Sequence, residues 1–115
     1  MAIHEYSIIR ALLDRVEAEA RARNATAIRC IRVRIGELAG VEKDLLVSAY
    51  DIFRERTLCH EAELRVTPVE ARWACPSCGG AIPRGEVLRC GGCGVPARLA
   101  GGDEIFLDRI EMEVP

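Results

Sequence analysis

The 115-residue sequence predicts an α+β fold: two helices, a small three-stranded and mostly antiparallel sheet, and a cysteine-rich module inserted ahead of the last strand. Three observations predict it. Apolar residues recur at three- and four-residue steps in two stretches. They alternate with polar residues in three others. Between the last two alternating stretches the composition shifts abruptly to Gly, Pro and Cys.

The first helix is predicted from Glu5 to about Arg23. Ile9, Leu12, Leu13, Val16 and Ala20 share one face, while Arg10, Asp14, Arg15, Glu17 and Glu19 point elsewhere. Asn24 suits its end, since asparagine tolerates the left-handed conformation that closes helices. In "IRCIRVRIGEL", Ile31, Val33 and Ile35 alternate with Arg32 and Arg34, a half-buried strand with a cationic outer face. Gly36 and "LAGVEKD" turn the chain. A second helix runs from about Glu42 to Arg56, its predicted apolar stripe being Leu45, Leu46, Ala49, Ile52 and Phe53. "AELRVTPVEA" alternates through Leu64 and Val66, and Pro68 marks an edge or a strand end. From Ala74 to Gly102 there are too few large apolar residues to form a core, so that segment needs a staple. "DEIFLDRIEMEV" then restores alternation, with Phe106, Ile110, Met112 and Val114 on one parity. The predicted organisation is one domain formed by residues 1–72 with 104–115, and an inserted module at 73–103.

Composition narrows the functional classes. Half the residues are hydrophobic and 30% are charged, the balance of a folded chain rather than a disordered one. No apolar run is long enough to span a bilayer, and no charged and then apolar leader opens the chain. A cytoplasmic protein with no membrane partner is expected. A net charge of −2 supplies no large basic field, and 4% aromatic content leaves few platforms for base stacking, so no nucleic-acid partner is expected. Arg84, Arg89 and Arg98 near the cysteines could argue otherwise, but three arginines without interleaved aromatics make a weak case. No activated nucleophile, catalytic carboxylate pair or phosphate-binding glycine loop is recognisable, which argues against an enzyme.

The six cysteines divide unequally. Cys75 and Cys78 form one CxxC pair, and Cys90 and Cys93 another, with eleven residues between the pairs. Two intervening residues let both thiolates of a pair meet one ion at about 2.3 Å, and two such pairs close a tetrahedral shell. Soft thiolates select zinc over hard cations, and a closed shell leaves no position for a substrate, so the zinc is expected to be structural. A redox dithiol or an iron–sulfur cluster are the other uses of such pairs, but the neighbouring sequence lacks the βαβ context of a redox motif. The glycines after each second cysteine permit the turn that aims amides at sulfur. Cys30 and Cys59 lie apart and read as small buried hydrophobes. His60 beside Cys59 lacks a third ligand nearby in sequence.

The opening "MAIHEYSIIR" places His4 and Glu5 at the start of the first helix. By itself this is an ordinary helix start, because the helix dipole favours an acidic residue there. Taken with "RVRIGELAGV", "CPSCG", "CGGCG" and "GDEIFLDRIEMEV", in that order along nearly the whole chain, it resembles the HypA/HybF family of nickel metallochaperones for hydrogenase maturation. The resemblance implies a transported Ni(II) bound at His4, with Glu5 as a neighbouring acceptor that orients the imidazole or as a weak ligand. It implies a zinc ion held by Cys75, Cys78, Cys90 and Cys93. It also implies delivery to the large subunit of nickel–iron hydrogenase, a HypB-type GTPase as partner, and in some bacteria a role with urease accessory proteins. A homodimer stays open.

One departure bears on the ligand set. The family places its histidine directly after the initiator methionine, whereas here Ala2 and Ile3 intervene. Were Met1 removed, the mature chain would start Ala-Ile-His. Its amine, two amides and imidazole would then close three fused chelate rings around Ni(II) or Cu(II), suiting the square-planar preference of both. The competing reading, from a different class, is a zinc-ribbon adaptor for protein or nucleic acid in which His4 has no role.

Overall fold

The computed structural model describes residues 3–85 and 87–115, so Met1, Ala2 and with them the form of the mature terminus lie outside the described residues. Helix α1 (Ile3–Ala22) is followed by β1 (Ala27–Gly36), α2 (Lys43–Phe53), β2 (Glu63–Val69), β3 (Arg72–Ala74), β4 (Ala81–Ile82), β5 (Arg98–Gly101) and β6 (Ile105–Glu113). The main sheet has the order β2-β1-β6, and a second three-stranded sheet has the order β4-β3-β5. The α+β class, the two helices and the three-stranded sheet are as the sequence predicts.

The chain forms two compact units: Met1–Arg34, Val41–Thr67 and Phe106–Pro115 make the first, Ile35–Gly40 and Pro68–Ile105 the second. In the first, α1 and α2 pack against each other, with Tyr6 meeting Phe53 edge-on at 5.6 Å. Ile9, Leu13, Val16 and Ala20 of α1 are buried together with Ile28, Ile31 and Val33 of β1. Each of the valine, leucine and isoleucine side chains contributes about 1.5–3 kcal/mol by leaving water. Helix α1 closes on Asn24 at φ +53°. The amide of Ala25 donates to the Ala20 carbonyl (2.9 Å) and that of Asn24 to the Arg21 carbonyl (3.2 Å), the paired bonds that satisfy a helix end.

The stripe of α2 is rotated from the predicted one. Leu46, Ala49 and Tyr50 are buried, whereas Leu45 and Ile52 are exposed. The cause is the Tyr50 hydroxyl, which donates to the Ala62 carbonyl at 2.7 Å. A buried phenol keeps its place inside when its polar tip finds a partner. Burial pushes the Tyr50 pKa up to about 12 and the Cys59 thiol up to about 11.

Strand β6 also departs from simple alternation. Phe106 and Val114 are exposed, and no residue of β6 is fully buried. Instead the strand matches β1 by charge: Glu113 pairs with Arg29, Glu111 with Arg32 at 2.8 Å, and Asp108 with Arg34 at 3.3 Å. Arg34 also lies 5.3 Å from the centre of the Phe106 ring. The falling numbers opposite rising ones show that β6 runs antiparallel to β1. The cationic face of β1 is thereby neutralised inside the sheet.

In the second unit, Trp73 pairs with Ile82 on one side and Leu99 on the other, both antiparallel. The turn Ile35–Gly40 is tied in by backbone bonds: Glu37 N–H to the Val69 carbonyl (2.8 Å) and Leu38 N–H to the Gly102 carbonyl (2.7 Å). The Glu37 carboxylate accepts from the Ala71 amide at 2.9 Å and from the two terminal guanidinium nitrogens of Arg84, Nη1 and Nη2.

Candidate metal centres

Cys75 and Cys78 follow β3, and Cys90 and Cys93 follow the loop after β4. The two knuckles repeat one geometry. Gly79 and Gly94, each just past the second cysteine, have φ of +75° and +71°. Each donates its amide at 2.9 Å to the carbonyl of the first cysteine of its pair. The turn aims further amides at sulfur: Ser77 and Cys78 toward Cys75 Sγ at 3.3 and 3.4 Å, Cys93 toward Cys90 Sγ at 3.4 Å, and Gly80 toward Cys78 Sγ at 3.4 Å.

These turns bring the four Sγ atoms within 4.8 Å of one another, with Cys78 and Cys90 at 3.9 Å. A tetrahedron with zinc–sulfur bonds of about 2.3 Å has edges of about 3.8 Å, so the cluster is already close to the dimensions of a zinc shell. Its donor chemistry agrees. The amides of Cys78 and then Ser77 draw the Cys75 thiol down to about 6, whereas hydrogen bonds from Cys78, Cys75 and Cys90 push Cys93 up to about 12. Four thiolates at this spacing need a cation among them to ionise together. Cys75 is fully buried and Cys78 and Cys93 are exposed, so the cluster sits at the surface with one sulfur anchored in the unit.

Cys30 and Cys59 are buried elsewhere and, among the described residues, join no such group. Two of the three arginines named above are occupied: Arg84 by Glu37, and Arg89 by the Gly94 carbonyl at 2.5 Å.

At the other end of the chain, His4 and Glu5 sit in the first turn of α1 with opposite exposures. The His4 side chain is 60% exposed and that of Glu5 8%. Glu5 Oε2 lies 3.3 Å from His4 Nδ1 and 3.5 Å from the Glu42 amide. Glu42 in turn caps α2, its carboxylate accepting the Leu45 amide at 2.8 Å. Sequence reasoning missed Glu42 because its approach to Glu5 spans 37 residues and depends on how the two helices pack. The only sequence signal was an acidic residue just ahead of a helix.

Two sites of different character therefore occupy one α+β chain: a closed cluster of four sulfurs, and an exposed imidazole backed by a buried carboxylate. The four-sulfur cluster is the outline of a metal-binding protein. Comparison with known proteins gives the particular family. Residues 3–112 match the family described as hydrogenase/urease nickel incorporation, metallochaperone, HypA. The hydrogenase maturation factor HypA of Wolinella succinogenes is 38% identical over 96% of both chains. That of Aquifex aeolicus is 36% identical over 97% of this chain and 99% of its own. The solution structure of the Ni metallochaperone HypA from Helicobacter pylori superposes with a TM-score of 0.73 at 29% identity, covering 96% of this chain and 98% of that one. A second HypA solution structure reaches 0.82 at 28% identity over both full chains. The chain belongs to the HypA family of hydrogenase maturation metallochaperones.

Proposed function

We propose that this chain carries Ni(II) on its amino-terminal segment, with His4 as the ligand that protrudes to take it, and delivers it for the maturation of nickel–iron hydrogenase. The observation that supports this most is the pairing of an exposed His4 with a nearly buried Glu5. A carboxylate acting on Nδ1 fixes the tautomer in which Nδ1 holds the proton, leaving the Nε2 lone pair for a metal. Glu5 is thus the positioning group. The backbone amides and amine upstream of His4 complete a nitrogen-rich set suited to square-planar Ni(II). Nickel is cargo here, and the chain acts as carrier rather than catalyst.

In the same reading Cys75, Cys78, Cys90 and Cys93 hold a structural Zn(II). The nickel domain comprises residues 1–72 with 104–115, and the zinc domain residues 73–103. The protein works in the cytoplasm, where a HypB-type GTPase and the hydrogenase large subunit are its partners and urease accessory proteins further ones. Among the described residues no helix is long and apolar enough to cross a membrane.

Calorimetric titration of zinc-loaded protein with Ni(II), wild type against His4→Ala, tests the reading. One nickel per chain, lost in the variant while zinc is retained, is expected. Glu5→Gln should weaken nickel binding about 10- to 100-fold, the usual cost of removing a group that orients a metal-binding histidine. Equal binding by wild type and His4→Ala, or binding by neither, would leave the zinc-ribbon adaptor as the better account.

A further inference from the structure

The main sheet ends on β6, which among the described residues pairs with β1 alone. An open edge of this kind offers unpaired amides and carbonyls to any extended chain, and proteins commonly blunt it with charge. Beside this edge, α1 and β6 enclose a groove of about 370 Å³. Leu107, Ile110 and Met112 line it and stay only half-buried, so an apolar floor is left uncovered. Arg15, Arg23 and Arg109 stand on its rim.

Charge decides what fits. The acids of β6 are consumed by β1, through Arg29–Glu113, Arg32–Glu111 and Arg34–Asp108. Arg23 is held by Glu19. Arg15 and Arg109 form no ion pair among the described residues, and both are exposed. The groove thus presents two guanidinium groups without a contact ion pair over an apolar floor, next to a free strand edge, Arg109 feeling only the more distant charge of Glu111.

We propose that this groove binds an extended acidic segment of a partner protein, which adds to β6 as a fourth strand. Its alternate side chains would rest on Leu107, Ile110 and Met112 while its carboxylates meet Arg15 and Arg109. A second copy of this chain is a poorer occupant. Its own β6 would arrive with its acids already paired and would bring Arg15 and Arg109 toward their counterparts, like charge against like. Nucleic acid is poorer still, since no aromatic side chain lines the groove.

The test uses the zinc-loaded full chain without nickel, so that it does not depend on His4. The probe is a fluorescent peptide alternating glutamate and valine, matched to the nine residues of β6 and followed by anisotropy. Two controls accompany it: the same peptide N-methylated at alternate amides, and one with lysine for glutamate. The acidic peptide should bind, and should shift the amide resonances of residues 107–112. Its affinity should drop about tenfold in the Arg15→Glu/Arg109→Glu variant, while a double lysine variant keeps most of it. The N-methylated and lysine peptides should both fail. Equal binding of the N-methylated peptide would refute strand addition, and an unchanged double variant would refute the groove. Dimerisation in sedimentation runs that competes with the peptide would make a second copy the occupant and overturn the proposal. Both arginines are exposed, so an unchanged melting temperature serves to show that the variant is folded.

Discussion

Replacing Gly102 by alanine should be among the most damaging single-methyl changes in this chain, and the structure says by how much. Gly102 sits between β5 and β6 at φ +92°, a conformation costly for a residue with a Cβ. Its carbonyl receives the Leu38 amide that ties down the turn Ile35–Gly40. A Cβ built there would lie 2.5 Å from the Ala71 Cα, 2.7 Å from the Glu70 carbonyl oxygen and 2.8 Å from the Ala71 nitrogen. All three are backbone atoms, so no side chain can swing aside. Gly40 is the natural control. It has φ +73° in the turn that Gly102 secures, but a Cβ there meets nothing within 4 Å. Gly40→Ala therefore carries only conformational strain, about 1–2 kcal/mol. Gly102→Ala carries that strain plus a backbone displacement, about 3–5 kcal/mol in all. With a urea slope of about 2 kcal/mol per molar, the two midpoints should fall by about 0.5–1 M and about 1.5–2.5 M. The assay is urea denaturation of the zinc-loaded proteins followed by Trp73 fluorescence, since Trp73 lies in β3 of the same unit. Equal midpoints for the two variants would refute the argument, because it rests on the clash and not on φ.

Four further outcomes follow from the chemistry described. Chelating the metal from wild-type protein should expose four fast-reacting thiols, while Cys30 and Cys59 react only on unfolding; burial holds Cys59 near 11, so about one thiol in a thousand is ionised at pH 8. Because both helices belong to the first unit, that chelation should collapse the amide dispersion of residues 68–105 yet leave most of the helical circular-dichroism signal. Arg84, and next the Ala71 amide, hold Glu37 down to about 2 against an ordinary 4.5, so its contribution is fully present above about pH 4.5 and is lost as the pH falls toward 2. The stability gap between wild type and Glu37→Gln should therefore narrow as pH drops through about 4.5, and a gap that widened would reverse the assignment. Tyr50→Phe should cost about 1 kcal/mol, since Arg54 still donates to the Ala62 carbonyl at 2.9 Å once the hydroxyl is gone; a melting temperature that did not move would show that bond to be idle.

What could be recognised from the sequence divides by range. The four-cysteine cluster was fully legible, because the CxxC spacing fixes each knuckle locally and the glycines at 79 and 94 supply the turn each needs. Helix α1 was legible for the same reason, down to Asn24 at its end. The stripe of α2 was not, because Leu45 and Tyr50 are equally apolar by pattern and only the Ala62 carbonyl, twelve residues on, decides which turns inward. Strand β6 misled through its alternation. Its pairing depends on charges contributed by Arg29, Arg32 and Arg34, about eighty residues earlier. Glu42 beside Glu5 and Glu37 beside Arg84 are likewise contacts between distant segments, each carried by an acidic residue that looks merely solvated in sequence.

On the function proposed above, the contrast between the two candidate metal sites follows from how each is enclosed. A four-sulfur shell leaves an ion no open position, and its ligands come from two knuckles that hold it together. Such a site suits an ion that stays. His4 offers one imidazole from an exposed helix start, and its neighbour Glu5 is buried and holds its own place through the Glu42 amide. The ring is thereby oriented without being enclosed, so on that proposal a partner's ligands would approach a His4-bound ion from the solvent side before His4 lets go. Transfer by stepwise ligand exchange needs that asymmetry: a donor fixed in direction but open in front. Copper would exceed nickel in intrinsic affinity at such a nitrogen site, so on this reading the exposure that makes release easy also leaves selectivity to metal supply and to the docking of partners.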